Sequence, residues 1–175
     1  MARFRISRLW NGQPIPGDEH VDIALSFDDS SDLRVHVDAP LHGDPAPGGP
    51  AGSTDALWEF EVVEVFLVGR NGRYTEVELG PHGHYLVLRL DGPRAVRDRD
   101  HQIRFVARRQ NHRWRGDAVL PRRLLPEEVD RIGLFAIHGT GRQRRYLSAF
   151  PLPGTAPDFH QPASFPELAP PGLRA

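Results

Sequence analysis

The stretch Phe60–Leu90, FEVVEVFLVGRNGRYTEVELGPHGHYLVLRL, decides the fold. Its apolar runs Phe60–Val68, Arg73–Leu79 and His84–Leu90 are separated by two clusters of breakers, Gly69-Arg70-Asn71-Gly72 and Gly80-Pro81-His82-Gly83. Gly and Asn readily take the positive φ of a tight reversal, and Pro cannot continue a ladder. The runs therefore read as three strands of an antiparallel meander. Side chains alternate across each strand, and the two turns set the relative faces. One face then carries Val62, Glu64, Phe66, Thr75, Val77, Leu79, His84, Leu86, Leu88 and Leu90, and is expected to be the core. The other carries Glu61, Val63, Val65, Tyr74, Glu76, Glu78, Tyr85, Val87 and Arg89, and is expected to be half polar. Glu64, flanked by Val62 and Phe66, would be costly as an unpaired buried carboxylate, so an arginine partner is expected for it.

Outward from this meander the same pattern continues, with turn signals about every 8–12 residues. Toward the N-terminus lie Arg3–Trp10, closed by Asn11-Gly12, then His20–Phe27 and Leu33–Ala39. Residues 40–56, PLHGDPAPGGPAGSTDA, are too dense in Gly and Pro for a strand or helix and read as a long surface loop. Toward the C-terminus, His101–Arg108 and His112–Val119 pair across Gln110-Asn111, with Trp114 on the apolar side and Asp117 opposite Arg104. Pro121 opens one short helix, followed by the strands Ile132–His138 and Arg144–Phe150. The expected fold is all-β: an antiparallel two-sheet β-sandwich of the jelly-roll kind with at most one short helix. Residues 1–165 form one domain and 166–175 a Pro-rich tail.

The chain has 175 residues, 39% of them hydrophobic, which suits one globular core. Its 22 basic residues are all Arg and face 23 acidic ones, for a net charge of −1. No global field exists to hold nucleic acid or an anionic membrane, so neither is expected as a partner. The absence of Lys and Cys removes Schiff-base and thiol chemistry, disulfides and thiolate metal sites. No Gly-x-Ser-x-Gly elbow or phosphate-binding glycine loop occurs, and the lone methionine, Met1, gives haem no sulfur ligand beyond the terminus. No cofactor and no bound metal are expected. Arg3 and Arg5 precede no signal-length apolar stretch, which points to a cytoplasmic address. The nine histidines leave one opening for catalysis: His82, His138 and His160, with a nearby Glu, could assemble a metal-dependent enzyme.

The strings Leu57-Trp58-Glu59-Phe60-Glu61-Val62-Val63-Glu64-Val65-Phe66 and Tyr74-Thr75-Glu76-Val77-Glu78-Leu79-Gly80-Pro81-His82-Gly83 resemble family 9 carbohydrate-binding modules and related DOMON-like sandwiches. Trp114-Arg115-Gly116-Asp117 leading to Leu120-Pro121 is similar to that group's Trp-x-Gly-Glu stretch before Ile-Pro, with Asp in place of Glu. More closely, Phe135-Ala136-Ile137-His138-Gly139, Arg144-x-Tyr146 and Pro157-Asp158-Phe159-His160 are similar to an uncharacterised protein family whose animal member is a chromosome-four open reading frame protein. That similarity spans nearly the whole chain. The broader resemblance implies a sandwich that binds sugars, or haem in some branches, without hydrolysis; the closer one implies no activity. The sugar-binding modules clamp their ligand between two Trp residues, whereas here Trp58 is well placed and Trp10 is the second candidate.

The expected function is therefore a non-catalytic binding module for a carbohydrate or another small molecule. Its candidate site is Trp58, delivered by the 40–56 loop, with Glu61, Glu64, His82, His138, Arg144, Tyr146 and His160. Aromatic rings cover the apolar face of a sugar, while carboxylates and guanidinium groups make forked hydrogen bonds to its hydroxyls. The other readings are the histidine metal enzyme and a structural or protein-interaction module.

Overall fold

The computed structural model describes residues 1–168; the remainder of the expected tail, 169–175, lies outside the described residues. Among the described residues twelve strands follow one another: β1 (Ala2–Ile6), β2 (Arg8–Leu9), β3 (Val21–Phe27), β4 (Leu33–Pro40), β5 (Val62–Gly69), β6 (Tyr74–Leu79), β7 (Tyr85–Leu90), β8 (Val96–Asp98), β9 (Arg104–Gln110), β10 (Arg113–Leu120), β11 (Val129–His138) and β12 (Arg145–Ser148). They form a five-stranded sheet in the order β1-β3-β4-β10-β9 and a seven-stranded sheet in the order β2-β12-β11-β5-β6-β7-β8. Neighbouring strands pair antiparallel throughout. This is the expected β-sandwich. Helical structure among the described residues is limited to short 3-10 turns, one of them at Arg122–Leu124 behind Pro121. Among the described residues no helix is long and apolar enough to cross a membrane.

The first expected strand divides at Ser7: Ala2–Ile6 joins the five-stranded sheet, and Arg8–Leu9 crosses to the seven-stranded one. Gly12, with φ +91°, still turns the chain, but it leads back beside β2 and not into β3. The β9–β10 hairpin is also registered differently from the expectation. Val119 stands opposite Arg104, and Asp117 opposite Val106, because Asn111 with φ +55° closes a two-residue turn between Gln110 and Arg113. Asp117 pairs instead with Arg108 (3.2 Å) and His36 (2.9 Å). Trp114 is fully buried, as its parity requires.

Both faces of β5 and β6 are buried. The inner face presents Val63, Val65, Leu67, Val77 and Leu79 to Ile23, Leu25, Val35, Val37 and Trp114 of the opposite sheet. The outer face carries a second cluster, Val62, Phe66, Val68, Tyr74, Leu86, Leu88, Phe135 and Ile137, roofed by Leu152, Phe159 and Phe165 from the chain after β12. Apolar burial at about 25 cal/mol per Å² drives both layers. Residues 166–168 continue this cover: Arg131 bridges to Glu167, and Leu168 N–H donates to the Asp130 carbonyl (2.9 Å).

Candidate functional site

The meander turns are each one residue shorter than the four-residue spacing of their breakers suggests. Gly69 N–H donates to the Arg73 carbonyl (2.8 Å) and Gly80 N–H to the His84 carbonyl (2.9 Å). The ladders consequently pair Glu64 with Glu78, Phe66 with Glu76 and Glu78 with Leu86. The two one-residue shifts cancel for β7 relative to β5 but turn β6 over. Glu76 and Glu78 therefore leave the expected half-polar face and join Glu64 beneath the outer cluster.

The three side chains are 2%, 3% and 0% exposed, respectively for Glu64, Glu76 and Glu78. One oxygen from each lies within 4.8 Å of the others. Among the described residues no group outside the cluster donates to Glu76 Oε2 or to either oxygen of Glu78, and Glu76 and Glu78 lie close enough to share a proton. The expected arginine partner for Glu64 is not in contact with it: Arg144 only weakly offsets the effects of burial and of the Glu76 charge, which push the Glu64 pKa well up. Burial raises Glu76 to about 7. Burial, then the charges of Glu64 and Glu76, push Glu78 well up. Like charges this close in a low-dielectric setting cannot all ionise without a counter-charge.

Above the carboxyls opens a cleft of about 420 Å³, walled by Trp58, Leu88, Val96, Ile137, Tyr146 and Phe159, with Arg94, Asp158 and His160 as its polar edge. Trp58, 37% exposed, sits on a 3-10 turn, Leu57–Glu59, that follows Ala56 in the left-handed region at φ +55°. Arg144 clamps this turn by donating to the carbonyls of Trp58 and Glu59 while also reaching the Gly139 carbonyl (3.2 Å). Its guanidinium lies 5.8 Å from the centre of the Tyr146 ring. Phe159 stacks on Phe135 at 4.0 Å. Arg94 pairs with Asp158 (2.8 Å), and Asp158 accepts the His160 N–H (2.9 Å). Tyr74 and His160 Nδ1 share a hydrogen bond of 2.7 Å. Burial lifts Tyr74 to about 12 and, with the Arg94 charge, lowers His160.

Of the eight expected site residues, Trp58, Glu64, Tyr146 and His160 line this cleft and Arg144 braces its rim. The other three lie elsewhere. Glu61 accepts the backbone N–H of His42 (3.0 Å) and Asp44 (3.4 Å), so it anchors the start of the long loop. His138 stacks on His42 with ring centres 3.5 Å apart. His82 Nδ1 bonds Arg109 (2.8 Å). His82, His138 and His160 thus have separate partners, and among the described residues only Glu64, Glu76 and Glu78 gather three possible ligand atoms. The histidine metal centre is not formed. Trp10 packs, partly buried, against the outer cluster and is not among the residues lining the cleft. The polar lining residues Glu76, Arg94 and Asp158, the apolar Leu88, Val96, Ile137, Pro157 and Phe159, and Glu78 beside the two lining glutamates were not in the expected site. For the two glutamates the signal was present, since Glu-x-Glu on one strand shares a face.

No family model matches the chain. It is 36% identical over 168 residues to the UPF0462 protein C4orf33 homolog of Danio rerio, covering 90% of this chain and 84% of that protein. It is 39% identical over 167 residues to the Rattus norvegicus homolog, covering 90% and 83%. With UPF0462 protein C4orf33 of Homo sapiens it shares 38% over 166 residues, covering 90% and 82%. In architecture it is similar to the crystal structure of a Bacteroides uniformis ATCC 8492 protein that carries the provisional description of a carbohydrate-binding protein. The TM-score is 0.70 at 15% identity, over 96% of this chain and 85% of that one. At that identity the likeness concerns the fold.

Proposed function

The chain belongs to the UPF0462 family, that of the C4orf33 proteins, and from this premise we propose that it is a non-catalytic binding module whose cleft takes a carbohydrate-like, polyhydroxylated small molecule. A fold alone does not transfer function, so the reading rests on the site. The observation that carries it is the presence in one cleft of an exposed indole, Trp58, and two buried carboxyl groups, Glu64 and Glu76, the latter with an oxygen, Oε2, that no donor satisfies. A sugar satisfies both demands. Its C–H face covers an aromatic ring, and its hydroxyls both donate to carboxylates and accept from protonated carboxyls. Tyr146 and Phe159 extend the apolar wall, and the Arg94–Asp158 pair and His160 supply further donors and acceptors at the edge. The carbohydrate-binding description of the structural neighbour supports the same reading.

Stacking plus a few hydrogen bonds in an open cleft gives a dissociation constant in the micromolar to millimolar range, about −8 to −4 kcal/mol. Trp114 is buried and Trp10 partly so, which leaves Trp58 as the indole that reports on the cleft. A panel of mono- and oligosaccharides titrated against the unmodified chain is expected to change tryptophan fluorescence saturably, and Trp58→Ala to lose that response. Calorimetry should show binding weakened in the variant. Silence toward every sugar, or equal affinity in both proteins, would remove the reading.

A further inference from the structure

Two adjacent strands, β5 and β6, bring Glu64, Glu76 and Glu78 to one point through the pairings Glu64–Glu78 and Phe66–Glu76. Acidic residues often gather without purpose on a wet surface, but these are buried, and Glu78 is fully enclosed, with neither oxygen satisfied by any donor outside the group. Hydrogen-bond groups so enclosed normally have partners. Arg144, whose charge acts on Glu64, is committed to backbone carbonyls of Trp58, Glu59 and Gly139. The group thus lacks a positive charge of its own, while the cleft above gives a small ion a path from solvent.

We propose that Glu64, Glu76 and Glu78 form a binding site for a hard divalent cation, calcium above magnesium. All the donors are carboxylate oxygens, which suit hard cations and not the softer metals that favour imidazole or thiolate. Three oxygens no more than 4.8 Å apart share a centre at most about 2.8 Å from each, a spread that admits the 2.3–2.6 Å of Ca²⁺–O bonds, whereas Mg²⁺ demands a near-ideal octahedron that three carboxylates on two neighbouring strands do not supply. Calcium also accepts irregular, partly bidentate carboxylate sets, with the remaining positions filled by water from the cleft. The cation replaces protons as the neutralising charge of the floor. The site requires no bound sugar; it extends the binding-module reading by a second, ionic ligand.

The test uses the full chain, produced without a polyhistidine tag, stripped with chelator and titrated in sugar-free buffer with CaCl2 and separately with MgCl2. Calorimetry is expected to show one saturable calcium site, no weaker than the about 10⁻³ M limit of low-affinity protein calcium sites, with magnesium weaker. Glu64→Gln and Glu78→Gln are each expected to lower calcium affinity about tenfold or more by removing a charged ligand. Both should fold, because an amide in place of a buried acid removes mutual repulsion; thermal unfolding in chelator checks this. No calcium binding by the unmodified chain up to about 10 mM overturns the proposal, whatever the variants do. So does equal calcium affinity in the folded Gln variants, or tighter binding of magnesium. Repeating the sugar titration in chelator separates the two readings, since either ligand can fail alone.

Discussion

His138 lies flat against His42, the rings 2° from parallel, with Glu19 Oε2 3.8 Å from its Nε2 and Arg145 holding that carboxylate at 2.9 Å. Burial, then the charges of His42, Arg145 and Arg144, depress the His138 pKa to about 3. The folded protein therefore binds fewer protons here than the unfolded chain between pH 6.5 and about 3. The neutral ring's contribution is complete above pH 6.5 and is lost as pH falls toward 3. His138→Phe keeps a planar ring on His42 and abolishes the titration. Thermal unfolding followed from pH 7 to pH 4 should fall more steeply for the unmodified chain than for the variant. The difference is expected to reach on the order of 2–4 kcal/mol after allowance for partial solvent contact. Parallel curves would show that His138 is protonated freely in the fold.

The β11–β12 connection shows how one backbone position holds an element in place. Gly139 has φ +78°, its N–H donates to Asp44 Oδ2 (2.5 Å), and a Cβ there would collide with the Gln143 carbonyl oxygen. Gly139→Ala is expected to cost about 2–4 kcal/mol from combined strain and collision, measured by denaturant unfolding. Because Arg144 reaches both the Gly139 carbonyl and the Trp58 turn, the variant should also weaken any cleft ligand. A change under about 0.5 kcal/mol, the size of an ordinary surface substitution, would contradict this. Strand existence was legible for most of the chain, since apolar alternation and Gly/Pro clusters report locally on extended backbone; the short, charged β8 and the division of the first strand at Ser7 carry no such signal. Relative face was not: a single residue in a turn reverses every side chain of the next strand, and nothing in Gly69-Arg70-Asn71-Gly72 states whether three or four residues make the bend. Glu64 is buried as expected, but on the outer face with Val62 and Phe66 and not in the core between the sheets, which Val63, Val65 and Leu67 fill, and its neighbours are two glutamates and not an arginine. Arg94 and Asp158 come together across 64 positions, a distance no spacing rule spans.

Across the whole molecule, the chain after β12 works as a third layer. Leu152, Phe159 and Phe165 cover the outer apolar face, and Phe165 meets Phe66 at 5.8 Å and Phe135 at 5.5 Å. Ending the chain after Phe150 would expose Val62, Phe66, Leu86, Leu88 and Phe135, a patch of the kind that drives association. The truncated protein is expected to bind the dye ANS and to elute from size exclusion as aggregate. A monodisperse truncation with unchanged thermal midpoint would show that the layer is dispensable. The fold is thus expected to depend on residues well beyond its last strand, Leu152, Phe159 and Phe165 among them.

The seven-stranded sheet ends on one side in a two-residue strand, β2, and on the other in the three-residue β8, where Arg97 and Asp98 point charge outward. An extended edge offers a row of free amides and carbonyls on which a copy could dock strand to strand; edges this short, one of them charged, offer almost none. The seven-stranded sheet, which carries apolar side chains on both faces, thereby has little margin on which to template a fibril, while the longer β9 edge of the other sheet is studded with Arg104, Arg108 and Arg109; local charge at the edges, and not the net charge of −1, guards a crowded solution.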